Sequence, residues 1–348
     1  MPRYPVHALF GLNEYSSDGR PESFFQINTK HLPSTSTMFA NDNGALVFQF
    51  DSETLRIEAW GPNALRIRAT HEAAFPSENW ALTEAVPQSS PTVYIQKEQQ
   101  ASIRNDRITA QVSRHGKITV IDEQRGQVLL EEYTRHRLDV VDPTCSALNV
   151  HARQFIPRLG ADSYHLTARF ESLDEDERIY GMGQYQQPYL NLKGADLELA
   201  QRNSQTSIPF ALSSLGYGLL WNQPAIGRAV FGNNLTTFEA LSTRVLDYWI
   251  VAGDSPADIV RAYAKVTGTA PAMPEYGLGF WQCKLRYQTQ EEVLAVAREH
   301  KVNRKLPMDV LIVDFFHWPI EGEWKFDPTF WPDPGKMNLH AWSTILAH

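Results

Sequence analysis

The sequence has little of several features that mark large classes of protein. Its 348 residues include two cysteines, Cys145 and Cys283, too far apart for a disulfide framework or a zinc-type spacing. No segment approaches the roughly 18 apolar residues that a membrane-spanning helix needs. The 32 Lys and Arg residues form no basic run and are outnumbered by 40 Asp and Glu. We therefore expect no metal, no cofactor, no nucleic-acid partner and no membrane partner.

The first ten residues also lack the apolar core of a secretion signal. They mix proline, arginine, histidine and tyrosine with single apolar side chains. Low cysteine usage is typical of a reducing compartment. We expect a cytoplasmic location on this basis, and the sequence leaves the oligomeric state unknown.

Aromatic residues, in contrast, are frequent, with 9 Trp, 13 Tyr and 17 Phe. Any one of these rings is more often part of a core than of a ligand site. A high tryptophan content nevertheless suits contact with the apolar faces of sugar rings.

Short alternating or β-branched segments, separated by turn residues, fill most of residues 1–252. Many short strands without helical periodicity predict a β-sandwich, with hairpin turns at His115-Gly116 and Arg125-Gly126. The polar segment 184–201 reads as an exposed loop. The predicted strands are 45–50, 54–59, 64–69, 92–96, 102–104, 108–113, 117–122, 127–133, 166–170, 206–212, 218–222, 229–232, 237–241 and 245–252.

Residues 253–274 are predicted to connect this sandwich to a second domain. Asp254-Ser255-Pro256 combines a capping side chain with a first-turn proline, and Gly268 is a helix-ending residue. Two prolines, Pro271 and Pro274, then indicate a linker. Between the two ends, apolar residues at helical spacing predict a buried stripe, formed by Ile259, Val260, Tyr263 and Val266.

Residues 275–348 have the pattern of a parallel α/β domain. Strands are predicted at 278–282 and 308–313, with a helix at 290–300 that opens on a capping pair, Thr289 and Glu292. The second strand is apolar throughout, which predicts burial on both faces. Residues 342–348 could begin a further helix. A (β/α)8 barrel takes about 250 residues, so this segment is too short to close one.

Asp314 ends the second apolar strand and is followed by aromatic residues. In parallel α/β barrels, substrate-binding residues lie at the carboxyl ends of the strands. A carboxylate among aromatic rings suits a sugar, because the charge binds hydroxyls and the rings contact its apolar faces. The alternative is a structural carboxylate that pairs with Lys284 or Arg286 on the neighbouring strand.

Other clusters of polar residues read as structural. The acidic run 174–177 lacks the glycine and the ligand spacing of a calcium loop, so a solvated turn is favoured. Glu321 and Glu323 read as solvated loop charges rather than as an acid/base pair. The eleven histidines show no metal-binding spacing, and His317 reads as a core or rim residue.

Four motifs, in this order along the chain, resemble glycoside hydrolase family 31. None is specific alone, but their order and spacing match the family over roughly residues 45–345. The third is similar to the first barrel strand of the α-xylosidase branch. The motifs are Gly181-Met182-Gly183-Gln184, the segment 208–221, the segment 280–287 and Asp314-Phe315-Phe316 with the aromatic segment 324–334.

The resemblance implies a galactose-mutarotase-like β-sandwich (1–252), a connecting helix and linker (253–274) and the first two βα units of a (β/α)8 barrel (275–348). It implies a retaining α-glycosidase that cleaves terminal α-linked xylose or glucose from an oligosaccharide or glycoside. Asp314 matches the aspartate that binds sugar hydroxyls. Trp281, Phe316 and Trp324 match aromatic positions of the substrate pocket.

In the family, an aspartate nucleophile follows the fourth barrel strand and an aspartate acid/base follows the sixth. The resemblance therefore assigns no catalytic residue to these 348 residues, and we expect the chain to be inactive by itself. The alternative is a non-catalytic carbohydrate-binding or interaction module derived from such an enzyme. A second polypeptide that completes the barrel is a further possibility.

Overall fold

A computed structural model describes residues 38–83, 90–96, 99–137, 143–315 and 317–340. The chain divides into two compact units, Met1–Gly268 and Thr269–His348. None of the helices in the described ranges is long and apolar enough to cross a membrane.

The described part of the first unit is built from three antiparallel sheets. An eight-stranded sheet has the order β1-β2-β3-β4-β18-β15-β14-β12, and two five-stranded sheets have the orders β5-β6-β7-β8-β9 and β10-β11-β17-β16-β13. The strands are β1 (Phe39–Asp42), β2 (Ala45–Phe50), β3 (Glu53–Ala59), β4 (Ala64–Thr70), β5 (Thr92–Gln96), β6 (Gln100–Asn105), β7 (Ile108–Ser113), β8 (Ile118–Asp122), β9 (Gln127–Glu131), β10 (Arg153–Pro157), β11 (Tyr164–Glu171), β12 (Ile179–Gln184), β13 (Asp196–Leu199), β14 (Thr206–Ser213), β15 (Tyr217–Trp221), β16 (Gly227–Phe231), β17 (Leu235–Thr243) and β18 (Leu246–Ala252).

One continuous core joins the three sheets. Buried side chains from the large sheet, such as Ile57 and Tyr248, pack in the same cluster as Ile103 and Phe238 from the two smaller sheets. Alternate residues of each strand supply this core, as expected for sheets stacked face to face. The predicted β-sandwich is therefore confirmed.

Strand β18 is buried along its whole length because both of its faces are covered. Tyr248 and Ile250 face the sandwich core, whereas Trp249 and Val251 belong to a second cluster on the outer face of the sheet. A helix, α1 (Pro256–Thr267), completes that second cluster.

Helix α1 begins and ends where the sequence predicts. The Ser255 hydroxyl accepts a hydrogen bond from the Asp258 amide at 3.2 Å. Ile259 and Val266 are buried, and the ring of Tyr263 stacks on Phe210 at 4.1 Å. The predicted stripe was wrong in one member, because Val260 points away from the sheet and is 49% exposed.

The exposed loop predicted at 184–201 was wrong in part. Residues 196–199 form β13, which pairs with β16 at the edge of a five-stranded sheet. Leu197 and Leu199 are buried in the common core. The strand has only four residues and two of them are acidic, so its alternation was too short to separate from that of a polar loop.

The second unit contains a two-stranded parallel sheet and its helices. After a 3₁₀ turn (Glu275–Leu278), its elements are β19 (Trp281–Cys283), α2 (Gln290–Arg298), a π-helical turn (Glu299–Asn303), β20 (Val310–Ile312) and α3 (Pro334–His340). The predicted strand–helix–strand order is confirmed, although both strands are shorter than predicted. The helix start predicted at 342–348 lies outside the described residues.

Candidate functional site

The two faces of the parallel sheet formed by β19 and β20 have different surroundings. Cys283 lies opposite Ile312 in the register, so both side chains point to the same face. On the other face, Leu311 and Val313 pack against Val293 of α2. This cluster fixes the sheet on its helix, as in any βα unit.

Burial of β20 on both faces was predicted, and this prediction was wrong. Val310, Leu311 and Ile312 are all half-buried, and Trp281 and Cys283 on β19 are exposed. One face of the ladder is covered by helix, and the other is accessible within the described part of this unit.

Asp314 lies two residues beyond β20, at the carboxyl ends of both strands. Its Oδ1 accepts a hydrogen bond from the Phe315 amide at 2.8 Å, and its Oδ2 lies 3.7 Å from the Cys283 thiol. Local desolvation and the charge of Asp314 both raise the pKa of Cys283, so the thiol keeps its proton and can donate it. The carboxylate is thus held in place by neutral donors.

The structural ion pair that the sequence left open for Asp314 is not formed. Lys284 pairs instead with Glu292 of α2, at 2.6 Å. Among the described residues, no lysine or arginine lies within ion-pair distance of the Asp314 carboxylate. No cation of the described residues therefore neutralises the charge of Asp314, and the carboxylate can accept hydrogen bonds from a ligand.

Two aromatic residues predicted to line the pocket differ in how firmly they are held: Trp281 begins β19, opposite Val310, and Trp324 lies in the segment that follows β20. Trp281 is 47% exposed, and its indole Nε1–H donates to the Gly277 carbonyl at 3.0 Å. Trp324 is 94% exposed, so it does not pack in a core. Phe316 lies outside the described residues.

The loop that carries Trp324 is anchored at both ends. At the start of the loop, the His317 carbonyl accepts a hydrogen bond from the Asp327 amide at 2.8 Å. Near its end, Trp331 is buried and Gln290, at the start of α2, takes a hydrogen bond from the Asp333 amide at 3.0 Å. These contacts anchor the segment that follows β20 to His317 and to the start of α2, even though Trp324 itself is exposed.

A second aspartate, Asp309, lies at the opposite end of β20 and has a structural contact. Its Oδ2 accepts a hydrogen bond from the Phe280 amide at 2.9 Å, which ties the start of β20 to β19. A Cβ at Gly279 would lie 2.1 Å from this oxygen, so the contact depends on glycine there. The two aspartates that flank β20 thus have different surroundings.

Sequence reasoning missed the role of Cys283 beside Asp314. The residue was considered only as a candidate for disulfide or metal binding. The signal that could have found it is the parallel register, because residues that follow neighbouring strands at equivalent positions meet at the same edge of the sheet.

In the first unit, the acidic run is not entirely solvated, which corrects the prediction for 174–177. Glu177 is 6% exposed and accepts hydrogen bonds from Ser213 at 2.5 Å, Tyr217 at 2.9 Å and Lys193 at 3.2 Å. Burial and the Glu177 charge raise the pKa of Tyr217 well above its ordinary value.

The described residues contain no group of three or more His, Cys, Asp or Glu side chains that could hold a metal ion.

Two family models match the chain, one in each unit. The N-terminal galactose mutarotase-like domain of glycosyl hydrolase 31 matches residues 54–228. The TIM-barrel domain of glycosyl hydrolases family 31 matches residues 270–344.

Individual relatives agree with these models. An uncharacterized family 31 glucosidase, ORF2, of Pseudescherichia vulneris is 50% identical over 301 residues, which are 84% of this chain and 56% of the relative. Alpha-xylosidase A of Aspergillus niger is 31% identical over 343 residues, or 92% of this chain and 44% of the relative. The crystal structure of a family 31 α-xylosidase from a soil metagenome, complexed with xylose, matches with a TM-score of 0.74 and 50% identity, covering 86% of this chain and 44% of that one.

The chain thus spans about half the length of the relatives it matches. The sandwich, the parallel βα units and the four ordered motifs all agree with the same family. The chain belongs to glycoside hydrolase family 31.

Proposed function

We propose that this chain supplies the sandwich and the first barrel strands of a retaining α-glycosidase that is specific for terminal α-linked xylose or glucose and resembles the α-xylosidases. The observation that carries the proposal is the position of Asp314. Its carboxylate lies at the carboxyl end of β20, has no neutralising cation among the described residues, and is oriented by the Cys283 thiol and the Phe315 amide.

In this proposal, Asp314 accepts hydrogen bonds from sugar hydroxyls, and Trp281, Phe316 and Trp324 contact the apolar faces of the substrate. A charged acceptor is suited to this role because hydrogen bonds to ionised groups are about twice as strong as those between neutral groups. The high exposure of Trp324 leaves its ring available to a ligand.

We propose no catalytic residue within the 348 residues. Retaining hydrolysis needs two carboxylates about 5–5.5 Å apart, one as nucleophile and one as acid/base. The resemblance places both on later barrel strands than β19 and β20. The 348-residue polypeptide should therefore bind a sugar weakly and turn over no substrate.

Calorimetric titration with D-xylose and methyl α-D-xyloside tests the binding role. Asp314→Asn should weaken affinity by about tenfold, or about 1.4 kcal/mol. Asp309→Asn is the matched control, because it changes the other aspartate beside β20 and retains an acceptor for the Phe280 amide. Equal effects of the two substitutions would contradict the role of Asp314.

An assay with aryl α-xyloside and aryl α-glucoside tests the absence of turnover. Hydrolysis by the 348-residue polypeptide that is lost in Asp314→Ala would show that the chain contains its own catalytic carboxylates. No hydrolysis is the expected result.

The alternative proposal is a non-catalytic carbohydrate-binding or interaction module. The accessible face of the β19–β20 ladder favours it, because exposed apolar side chains such as Trp281 and Leu285 suit a partner surface. Hydrogen exchange discriminates: strong protection of Val310–Ile312 in the isolated chain favours a stable module.

The domain bounds at 252 and 274, the cytoplasmic location and the absence of a nucleic-acid partner remain proposals. Limited proteolysis would test the bounds, with cleavage expected in the proline-containing segment 269–274.

A further inference from the structure

A polar cavity of about 380 Å³ lies in the first unit and is formed entirely by residues of that unit. Its volume falls at the lower end of the range of small-molecule sites. Strands β2 and β10 and the turn between β7 and β8 contribute most of its wall. The lining residues used below are Phe50, His71, Lys117, Glu132, His151 and Arg153.

The floor of the cavity is a buried cluster of opposite charges. Arg153 is 8% exposed, and its guanidinium donates to Glu132 at 2.6 Å, to Glu53 at 2.8 Å and to the Gly116 carbonyl at 3.0 Å. Gly116 has a φ of 80°, and a Cβ there would lie 2.7 Å from the ring of Phe48. The floor is therefore rigid, and its one arginine has protein partners.

The electrostatics of the cavity disfavour an anionic ligand. Lys117 is paired with Glu131, and Arg153 with two glutamates, so neither cation is free to bind an anion. A metal ion is equally disfavoured, because no cluster of three suitable ligands occurs in the described ranges. These observations favour a neutral ligand over an anion or a metal ion.

The walls combine aromatic faces with hydrogen-bonding groups. Phe50 is 46% exposed and stacks on the buried Phe48, with ring centroids 6.2 Å apart. His71 meets the ring of Phe155 edge-on at 4.9 Å, and its Nδ1 contacts the Ser52 hydroxyl at 3.1 Å. His151 is exposed at the rim. An apolar ring face beside imidazole groups matches a ring that carries hydroxyls around its edge.

We propose that this cavity binds one neutral sugar ring, in addition to the site proposed at Asp314. The inference does not depend on the proposed function, because none of the lining residues belongs to that site. Its effect would be to hold a carbohydrate on the sandwich independently of the Asp314 site.

The test uses the 348-residue chain in an Asp314→Asn background, so that binding reports the sandwich cavity alone. D-xylose, D-glucose and methyl α-D-glucoside are titrated separately by ligand-observed NMR. Saturable binding of at least one sugar is expected. Phe50→Ala and His151→Ala should each weaken it by about tenfold. Both side chains are at least partly exposed, so the fold should be retained, as circular dichroism would check.

Tyr94→Ala is the matched control, because this ring is 63% exposed on β5 and does not line the cavity. It should leave binding unchanged. The proposal would be overturned if none of the three sugars saturates the protein. It would also be overturned if the Phe50→Ala and His151→Ala variants bind sugar as tightly as the Asp314→Asn protein without them. Tighter binding of inorganic phosphate than of every sugar would overturn it as well. Failure of the Asp314 proposal would appear separately, as equal sugar binding by wild type and Asp314→Asn.

Discussion

The two units of this chain both contain β-strands, but they bury them to very different extents. Every residue of β18 in the sandwich is buried, whereas every residue of β20 in the barrel segment is only partly buried. In the sandwich, stacked sheets and α1 cover both faces of the central strands. In the barrel segment, α2 covers one face of the parallel ladder.

The difference shows what each architecture requires from its neighbours. An antiparallel sheet can be completed by a second sheet folded from adjacent hairpins. A parallel barrel strand needs its own helix on the outside and further strands within the barrel. We therefore expect the sandwich to carry most of the stability of this chain, and the following predictions would break or sharpen that contrast.

Trp331→Ala should have the largest effect. This buried ring is one of the few large side chains in the small core of the second unit. Its loss should cost about 3–5 kcal/mol, enough to unfold a small unit. Hydrogen exchange should show loss of protection in α2 and β20 while β18 stays protected. Trp324→Ala is the matched control, because that ring is 94% exposed and its removal should leave protection unchanged.

Asp247→Ala should destabilise the sandwich without unfolding it. Asp247 accepts two hydrogen bonds from the buried Arg66, at 3.1 and 2.7 Å. Removing it leaves the buried Arg66 guanidinium without its carboxylate partner. The free energy of unfolding, measured with urea, should fall by about 3–5 kcal/mol. Asp196→Ala, which breaks a surface pair with Arg228, should hardly move the unfolding midpoint. Equal shifts of the unfolding midpoint in the two variants would contradict the claim that burial makes the Asp247–Arg66 pair important for stability.

Paired N-cap substitutions compare the units directly. Ser255 and Thr289 each accept a hydrogen bond from the third amide of their helix at 3.2 Å. Ser255→Ala and Thr289→Ala should each cost about 1 kcal/mol. Because α2 provides much of the core of its unit, Thr289→Ala should lower protection in β20, whereas Ser255→Ala should leave β18 protected. Loss of hydrogen-exchange protection in both β18 and β20 would contradict the expected difference in stability between the two units.

The smallest effect should be a pH dependence of helix α2 in the second unit. The hydrogen bond from Lys284, and then that from the Gln288 amide, lower the pKa of Glu292 below its ordinary value near 4.5. The ionised carboxylate therefore stabilises α2 above pH 4.5, and this contribution is lost as the pH falls through the lowered pKa. Hydrogen exchange in the first turn of α2 should show the change, and Glu292→Gln should reduce it, leaving the contribution of Glu299, whose pKa is lowered by hydrogen bonds from Asn303 and Arg304. An unchanged pH profile in Glu292→Gln would assign the effect to other groups.

Much of the fold followed from local signals. The turns at Gly116 and Gly126, the caps at Ser255 and Thr289 and the order of the elements after residue 275 were all predictable, because turn and cap chemistry depends on neighbouring residues. Strands β1, β10, β12 and β13 were missed as strands. They are short or rich in glycine and polar residues, and their pairing with distant strands stabilises them.

The candidate site was predictable in part. Asp314 stood out because a charge follows an apolar strand, and family resemblance gave it a role that remains a proposal. The contact with Cys283 was not predicted, because it joins residues 31 positions apart through the parallel register. Nor was the sandwich cavity, since its walls come from five separated segments of chain.

The sequence by itself determined the turns at Gly116 and Gly126, the helix caps, the order of the elements after residue 275 and the position of Asp314 after β20. These features depend on residues close together in the chain. Tertiary structure alone decided that β4 pairs with β18, that Glu177 is buried and that Val260 is exposed. Each of these depends on which distant segments pack together, and that choice is made by the burial of a whole core and not by any local pattern.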